Sequence, residues 1–186
     1  MSEEMLIRYC APTLAGIKTA SLFTCPGDSG KELTEQNRSA NRQLLPRGIR
    51  LQPLRYQNGH ALIYMYRSKR LERDLASQKA ASILTRANYP AGDPQRRLAE
   101  LSLRLRRSHE FPHEIGLFLG YPPDDVEGFI ENRARAFKYP GYWKVYGDEE
   151  KAKAQFRAIS ICTACYCRCY IHGMSLNKLA VREKAG

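Results

Sequence analysis

No apolar run in this sequence approaches the roughly 20 residues that cross a bilayer, which excludes a transmembrane helix on hydropathy. The start, Met1-Ser2-Glu3-Glu4, lacks the basic and then apolar character of a secretory leader. The chain is therefore expected in the cytoplasm, with reduced cysteines. There is no internal repeat and no low-complexity linker, and tryptophan occurs once. Acid is scarce, with 19 Asp+Glu against 30 Lys+Arg and a net charge of +11. What is present, 186 residues that are 43% hydrophobic and 26% charged, excludes a disordered chain, a collagen-like chain and a disulfide-dense miniprotein. The expectation is one α+β domain over residues 1–181 and a charged tail over 182–186.

The charge excess is local. Residues 38–109 hold 16 Lys+Arg against 4 Asp+Glu, a net of +12, and the remainder is close to neutral. A clustered basic face concentrates anions and can neutralise phosphates, and it can equally be a solvated helix surface. Nucleic-acid binding through this segment would use Arg67, Lys69, Arg70, Arg73, Arg96, Arg97, Arg104, Arg106 and Arg107. No helix-turn-helix, RRM or zinc-finger pattern accompanies them.

The first half reads as a small mixed or antiparallel sheet. Met5 to Cys10 and Ser21 to Cys25 are apolar enough for strands, and Cys25 to Gly30 is a loop by its turn residues. Residues 31–45 predict a helix that stops at Pro46 and Gly48. Ile49 to Arg55 and Ala61 to Arg67 predict two strands joined at Asn58-Gly59, a strong hairpin signal. Helices dominate the second half, over 68–87, at Leu98, Leu101 and Leu105, over 113–119, from Pro123 to about 136, from Asp148 to about Tyr170, and over 175–181. Tyr142 to Tyr146 is β-prone, with Tyr142, Lys144 and Tyr146 on one face and Trp143 and Val145 on the other.

Several motifs bear on chemistry. Cys162, Cys165, Cys167 and Cys169 supply soft ligands, but on a helix the first, second and fourth share a face and Cys167 points away. Four thiols on one straight helix cannot surround a metal tetrahedrally, so they read as packing cysteines and no metal ligands are assigned. Gly27-Asp28-Ser29-Gly30 resembles the nucleophile loop of chymotrypsin-like proteases, whose two β barrels this short, helical sequence excludes. His113-Glu114 lacks the second His of a zincin helix, yet it opens a helix where an imidazole can move protons and backbone N–H groups can hold an anion. Cys10, at the end of its expected strand, would face a crevice with Lys18 nearby to lower its pKa or hold an anion. The other reading of each is capping or packing.

Cys10-Ala11-Pro12-Thr13 through Lys18, His113-Glu114-Ile115-Gly116 through Tyr121-Pro122, Gly141-Tyr142-Trp143-Lys144-Val145-Tyr146 and Cys162-Thr163 together resemble DUF3793. This is an uncharacterised bacterial family, found mainly in anaerobes such as clostridia and sulfate reducers. The resemblance spans nearly the whole chain. It transfers no catalytic role and no cofactor, and it implies a redox or iron-linked setting. The functional expectation is a pocket for a small anionic or planar ligand, with Cys10, His113 and Glu114 as candidate catalytic groups. Lys18, Tyr121, Trp143, Lys144 and Tyr146 would contact the ligand. The alternatives are nucleic-acid binding and docking of an acidic redox protein such as a flavodoxin.

Overall fold

The computed structural model describes residues 1–27, 30–108 and 110–183. Asp28 and Ser29 of the glycine-rich turn, and the last three residues of the charged tail, lie outside the described residues. The fold is α+β and divides into two units: Met1–Arg70 with Ile159–Gly186, and Leu71–Ala158.

In the first unit, helix α1 (Glu3–Leu14) replaces the strand expected at Met5 to Cys10. Ser2 caps it by accepting from the Met5 N–H at 3.2 Å, and Glu3 and Glu4 sit in the first turn, where the helix dipole favours acid. Leu6, Ile7, Cys10, Ala11 and Leu14 are buried at helical spacing. Strand β1 (Ala20–Pro26) follows, then α2 (Gly30–Leu44), a 3-10 turn and the hairpin β2 (Ile49–Gln57) with β3 (His60–Arg67). Asn58 and Gly59 both have positive φ, 51° and 71°, as the tight two-residue hairpin turn demands.

The sheet order is β1-β3-β2, antiparallel throughout, with Ala20 opposite Tyr66, Ile49 opposite Arg67 and a bulge between Pro53 and Arg55. Central β3 is buried from Ala61 to Arg67, so it reads as a continuous apolar run rather than an alternating one. Ala61, Ile63 and Met65 meet α1, α2 and the short C-terminal helix α9 (Leu176–Leu179) in one core. The chain after α9 is tied in. Val181 N–H donates to Leu14 O at 2.9 Å, and the Glu183 carboxylate accepts from Arg70 N–H at 3.1 Å.

The expected 68–87 helix is two, α3 (Ser68–Ala76) and α4 (Gln78–Arg86). The second unit continues with α5 (Pro94–Arg107), α6 (Ile115–Phe118), α7 (Pro123–Glu131) and a two-stranded ribbon of β4 (Tyr139–Pro140) and β5 (Lys144–Val145). The last long helix is α8 (Glu149–Ile171), and both it and α3 contribute residues to both units. Asp93 caps α5, accepting from Gln95 N–H at 2.8 Å, with Pro94 at the first helical position. Helix α7 ends at Glu131, short of the expected 136, because Arg133, Ala134 and Ala136 adopt left-handed φ values of 48°, 62° and 53°. Trp143 and Val145 are buried while Tyr142 is exposed, the alternation the sequence implies.

Candidate functional site

A cavity of about 360 Å³ opens in the second unit, lined by residues between Phe111 and Lys144. Three segments build it. The chain entering α6 supplies Phe111, Pro112 and His113. The α6–α7 pair supplies Tyr121, Val126 and Phe129, and the β4–β5 turn supplies Tyr142, Trp143 and Lys144. Rings from Phe111, His113, Tyr121, Phe129, Tyr142 and Trp143 line the cavity among smaller apolar residues. Tyr121 stacks on Trp143 with ring centroids 4.7 Å apart, Phe156 meets the Trp143 indole edge-on at 4.5 Å, and His113 packs edge-on against Phe129 at 5.2 Å.

One carboxylate fixes this arrangement. Asp125, in the first turn of α7, is only 3% exposed. Its Oδ2 accepts from the Trp143 indole N–H at 2.7 Å, and its Oδ1 accepts from Tyr146 N–H at 2.8 Å and Gly147 N–H at 2.7 Å. Asp125 therefore sets the orientation of the indole and closes the turn after β5. In the sequence it reads only as a first-turn acid.

Two glycines let the walls close. A Cβ on Gly116 would lie 2.8 Å from Val126 Cγ2, and one on Gly141 would lie 2.0 Å from Phe156 Cε2. The sequence pattern carries the motif around both but gives no sign of the close approach. Lys144 Nζ donates to Ala134 O at 2.8 Å and lies 4.8 Å from the Phe137 ring centroid. Tyr146 O–H donates to Arg135 O at 2.9 Å. These two side chains hold the left-handed segment after α7, whose non-glycine residues carry a conformational cost of about 1 kcal/mol or more each.

The sequence candidates thus separate. His113, Tyr121, Trp143 and Lys144 share the cavity wall, and Tyr146 supports it from behind. Burial pushes the Tyr121 hydroxyl up to about 12, so it stays a neutral hydrogen-bonding group. Glu114 is turned elsewhere. Its carboxylate accepts from Arg104 Nη1 at 3.0 Å, and that guanidinium also covers the Tyr89 ring at 4.0 Å. Next to Glu114 and within this buried pairing, the Tyr89 hydroxyl is pushed up, chiefly by burial.

Cys10 and Lys18 belong to the first unit. Cys10 does not end a strand facing a crevice. It lies in mid-α1 with no exposed surface, because its helical face is the one that packs on the sheet. Burial raises its pKa well above the ordinary thiol value, against smaller lowering effects from Lys18 and Ser21, so the thiol stays protonated near neutral pH. The Ser21 hydroxyl also pairs with that of Thr13 at 2.8 Å. Burial lowers Lys18 to about 8.

All six cysteines are free thiols. Among the described residues, no group of three or more His, Cys, Asp or Glu side chains is placed to hold a metal ion, and no helix is long and apolar enough to cross a membrane.

Neither the curated proteins nor the solved structures give a match to this chain. The family model described as "Protein of unknown function (DUF3793)" matches residues 6–180, a span that includes every segment of the cavity wall, and the chain belongs to that family.

Proposed function

We propose that the cavity between α6, α7 and the β4–β5 turn binds a small planar ligand bearing an anionic group. The observation that carries this is convergence. Motifs spread over some 30 residues of sequence, at His113, Tyr121 and Trp143-Lys144, meet on one wall. Its volume lies at the small end of ligand sites, which are mostly apolar with a few placed polar groups. The flat faces suit a ring system. Lys144 supplies positive charge at the wall, and His113 supplies an imidazole, the side chain suited to giving and taking a proton near neutral pH. If the site is catalytic, His113 is its acid–base group. Six free thiols fit a reducing compartment, and the protein acts in the cytoplasm.

Trp143 is the only tryptophan, so its fluorescence reports on this wall alone. Titration with 2-naphthoate, a planar carboxylate, should quench it saturably, and hexanoate should not. At about −0.3 kcal/mol per non-hydrogen atom a ligand of that size binds at or below about 1 mM. Tyr121→Ala should abolish the saturable phase while the far-UV circular dichroism is kept. Equal responses to naphthoate and hexanoate, or none to either, would sink the reading.

A further inference from the structure

We propose that Cys165 and Cys169 of α8 form a two-thiolate site for a soft monovalent cation, Cu(I). The site lies in the first unit and does not depend on the aromatic cavity. The two residues are one helical turn apart, where Cβ atoms stand about 5–6 Å from each other on one face. Cys165 is exposed and Cys169 is half-buried. Both line a hollow of about 440 Å³, shared with Ile161, Ala164, Arg168 and His172.

The donor set selects the ion. Thiolates favour Cu(I), zinc and iron–sulfur clusters, but zinc and the clusters are held by four protein ligands in structural sites. Cys162 is buried, and Cys167, two residues on from Cys165, points to the other side of the helix. Without a third member arranged for a metal among the described residues, two sulfurs remain. A d10 monocation is satisfied by two thiolates in a near-linear arrangement. Binding displaces two protons: Cu(I) and two thiols give a bis-thiolate complex of charge −1 and two H⁺, with no change of oxidation state. The Arg168 guanidinium, in the same hollow, offsets that negative charge.

The test is an anaerobic titration of the reduced full-length protein with Cu(I) against bicinchoninate, with proton release followed in parallel. One equivalent should be withdrawn from the competitor, with close to two protons released. Cys165→Ser and Cys169→Ser should each weaken uptake more than about 100-fold, beyond the loss typical of a supporting residue around a metal. Cys167→Ser should bind as the parent does. Both pair residues reach the surface, so circular dichroism should show the variants folded. No uptake by the parent, uptake unchanged in either pair variant, or loss in Cys167→Ser would overturn the assignment.

Discussion

Asp125 offers the sharpest test of how the cavity wall is held. Asp125→Ala removes the acceptor of three donors, the Trp143 indole N–H and the Tyr146 and Gly147 amides. A buried donor left without a partner costs about 1–3 kcal/mol. Trp143 is 7% exposed and takes the upper part of that range, while the two amides, in half-buried residues, take the lower part. The sum is about 3–5 kcal/mol, a large share of the 5–15 kcal/mol that stabilises a typical domain. Asp125→Asn separates the contributions. Its carbonyl oxygen can still accept from both amides, but its NH₂ then faces the indole N–H, donor against donor, so the cost falls to about 1.5–3 kcal/mol. Urea unfolding followed by Trp143 fluorescence and by circular dichroism gives both values. In a Trp143→Phe background, read by circular dichroism, the Asn substitution should lose most of its cost, a coupling of at least about 1 kcal/mol. The account fails if Asp125→Ala lies within about 1 kcal/mol of the parent, or if the Asn and Ala variants are equally destabilised.

Gly141→Ala would drive a methyl group into the Phe156 ring that braces Trp143, and it should cost about 1–3 kcal/mol and shift the Trp143 emission; unchanged stability would count against the close approach. Burial lowers Lys18 from 10.5 to about 8, so between those values the unfolded chain holds a proton that the folded chain has released. Stability should therefore rise with pH through that window, and Lys18→Met should lose that rise; equal slopes for the two proteins from pH 8 to 10 would refute it. Iodoacetamide should label the native protein first at Cys165 and last at Cys10 and Cys25, as read by mass spectrometry of peptides; labelling of Cys10 as fast as Cys165 would return it to consideration as a nucleophile.

The sheet was legible because its signals are local. Asn58-Gly59 needs two positive φ values, and the runs on either side have no competing helical period. Met5 to Cys10 was misread because six apolar-rich residues fit a buried strand as well as part of a helix face. The deciding information lay outside that window, in the Ser2 cap and in Ala11 and Leu14, which continue the helical face. Pro12 does not end the segment either, and is accommodated in the last turns of α1. At the cavity, His113, Tyr121, Trp143 and Lys144 were legible from motif residues. Asp125 was not, since an acid in the first turn of a helix has a sufficient local explanation in the dipole. Its three donors come from about twenty residues further along, a pairing that no periodicity reports. Glu114 shows the converse, a neighbour of His113 in sequence whose carboxylate serves Arg104 instead.

The basic segment is where composition and structure diverge most. A helix leaves its last carbonyls without intrahelical partners, and α1 has no basic residue in its own last turn to meet them. The guanidiniums come from β3 and α3. Arg67, 3% exposed, donates to Thr13 O and Leu14 O at 2.6 Å and to Val181 O at 2.8 Å, and Arg70 donates to Gly16 O and to Ile17 O at 3.0 Å. In the second unit Arg97 donates to Leu75 O at 2.8 Å and Pro90 O at 3.2 Å, and Arg104 to Asn88 O at 3.1 Å. Charge-assisted bonds of this kind are worth about 1.5–3 kcal/mol each, and removing the donor strands buried carbonyls. Arg67 and Arg97, buried as well as bonded, cannot reach a phosphate without giving the bonds up, and Arg70 and Arg104 would have to share theirs. Four of the nine cations counted toward a nucleic-acid face are therefore committed to holding chain ends and loops in place, and the positive charge of residues 38–109 is in good part an instrument of folding.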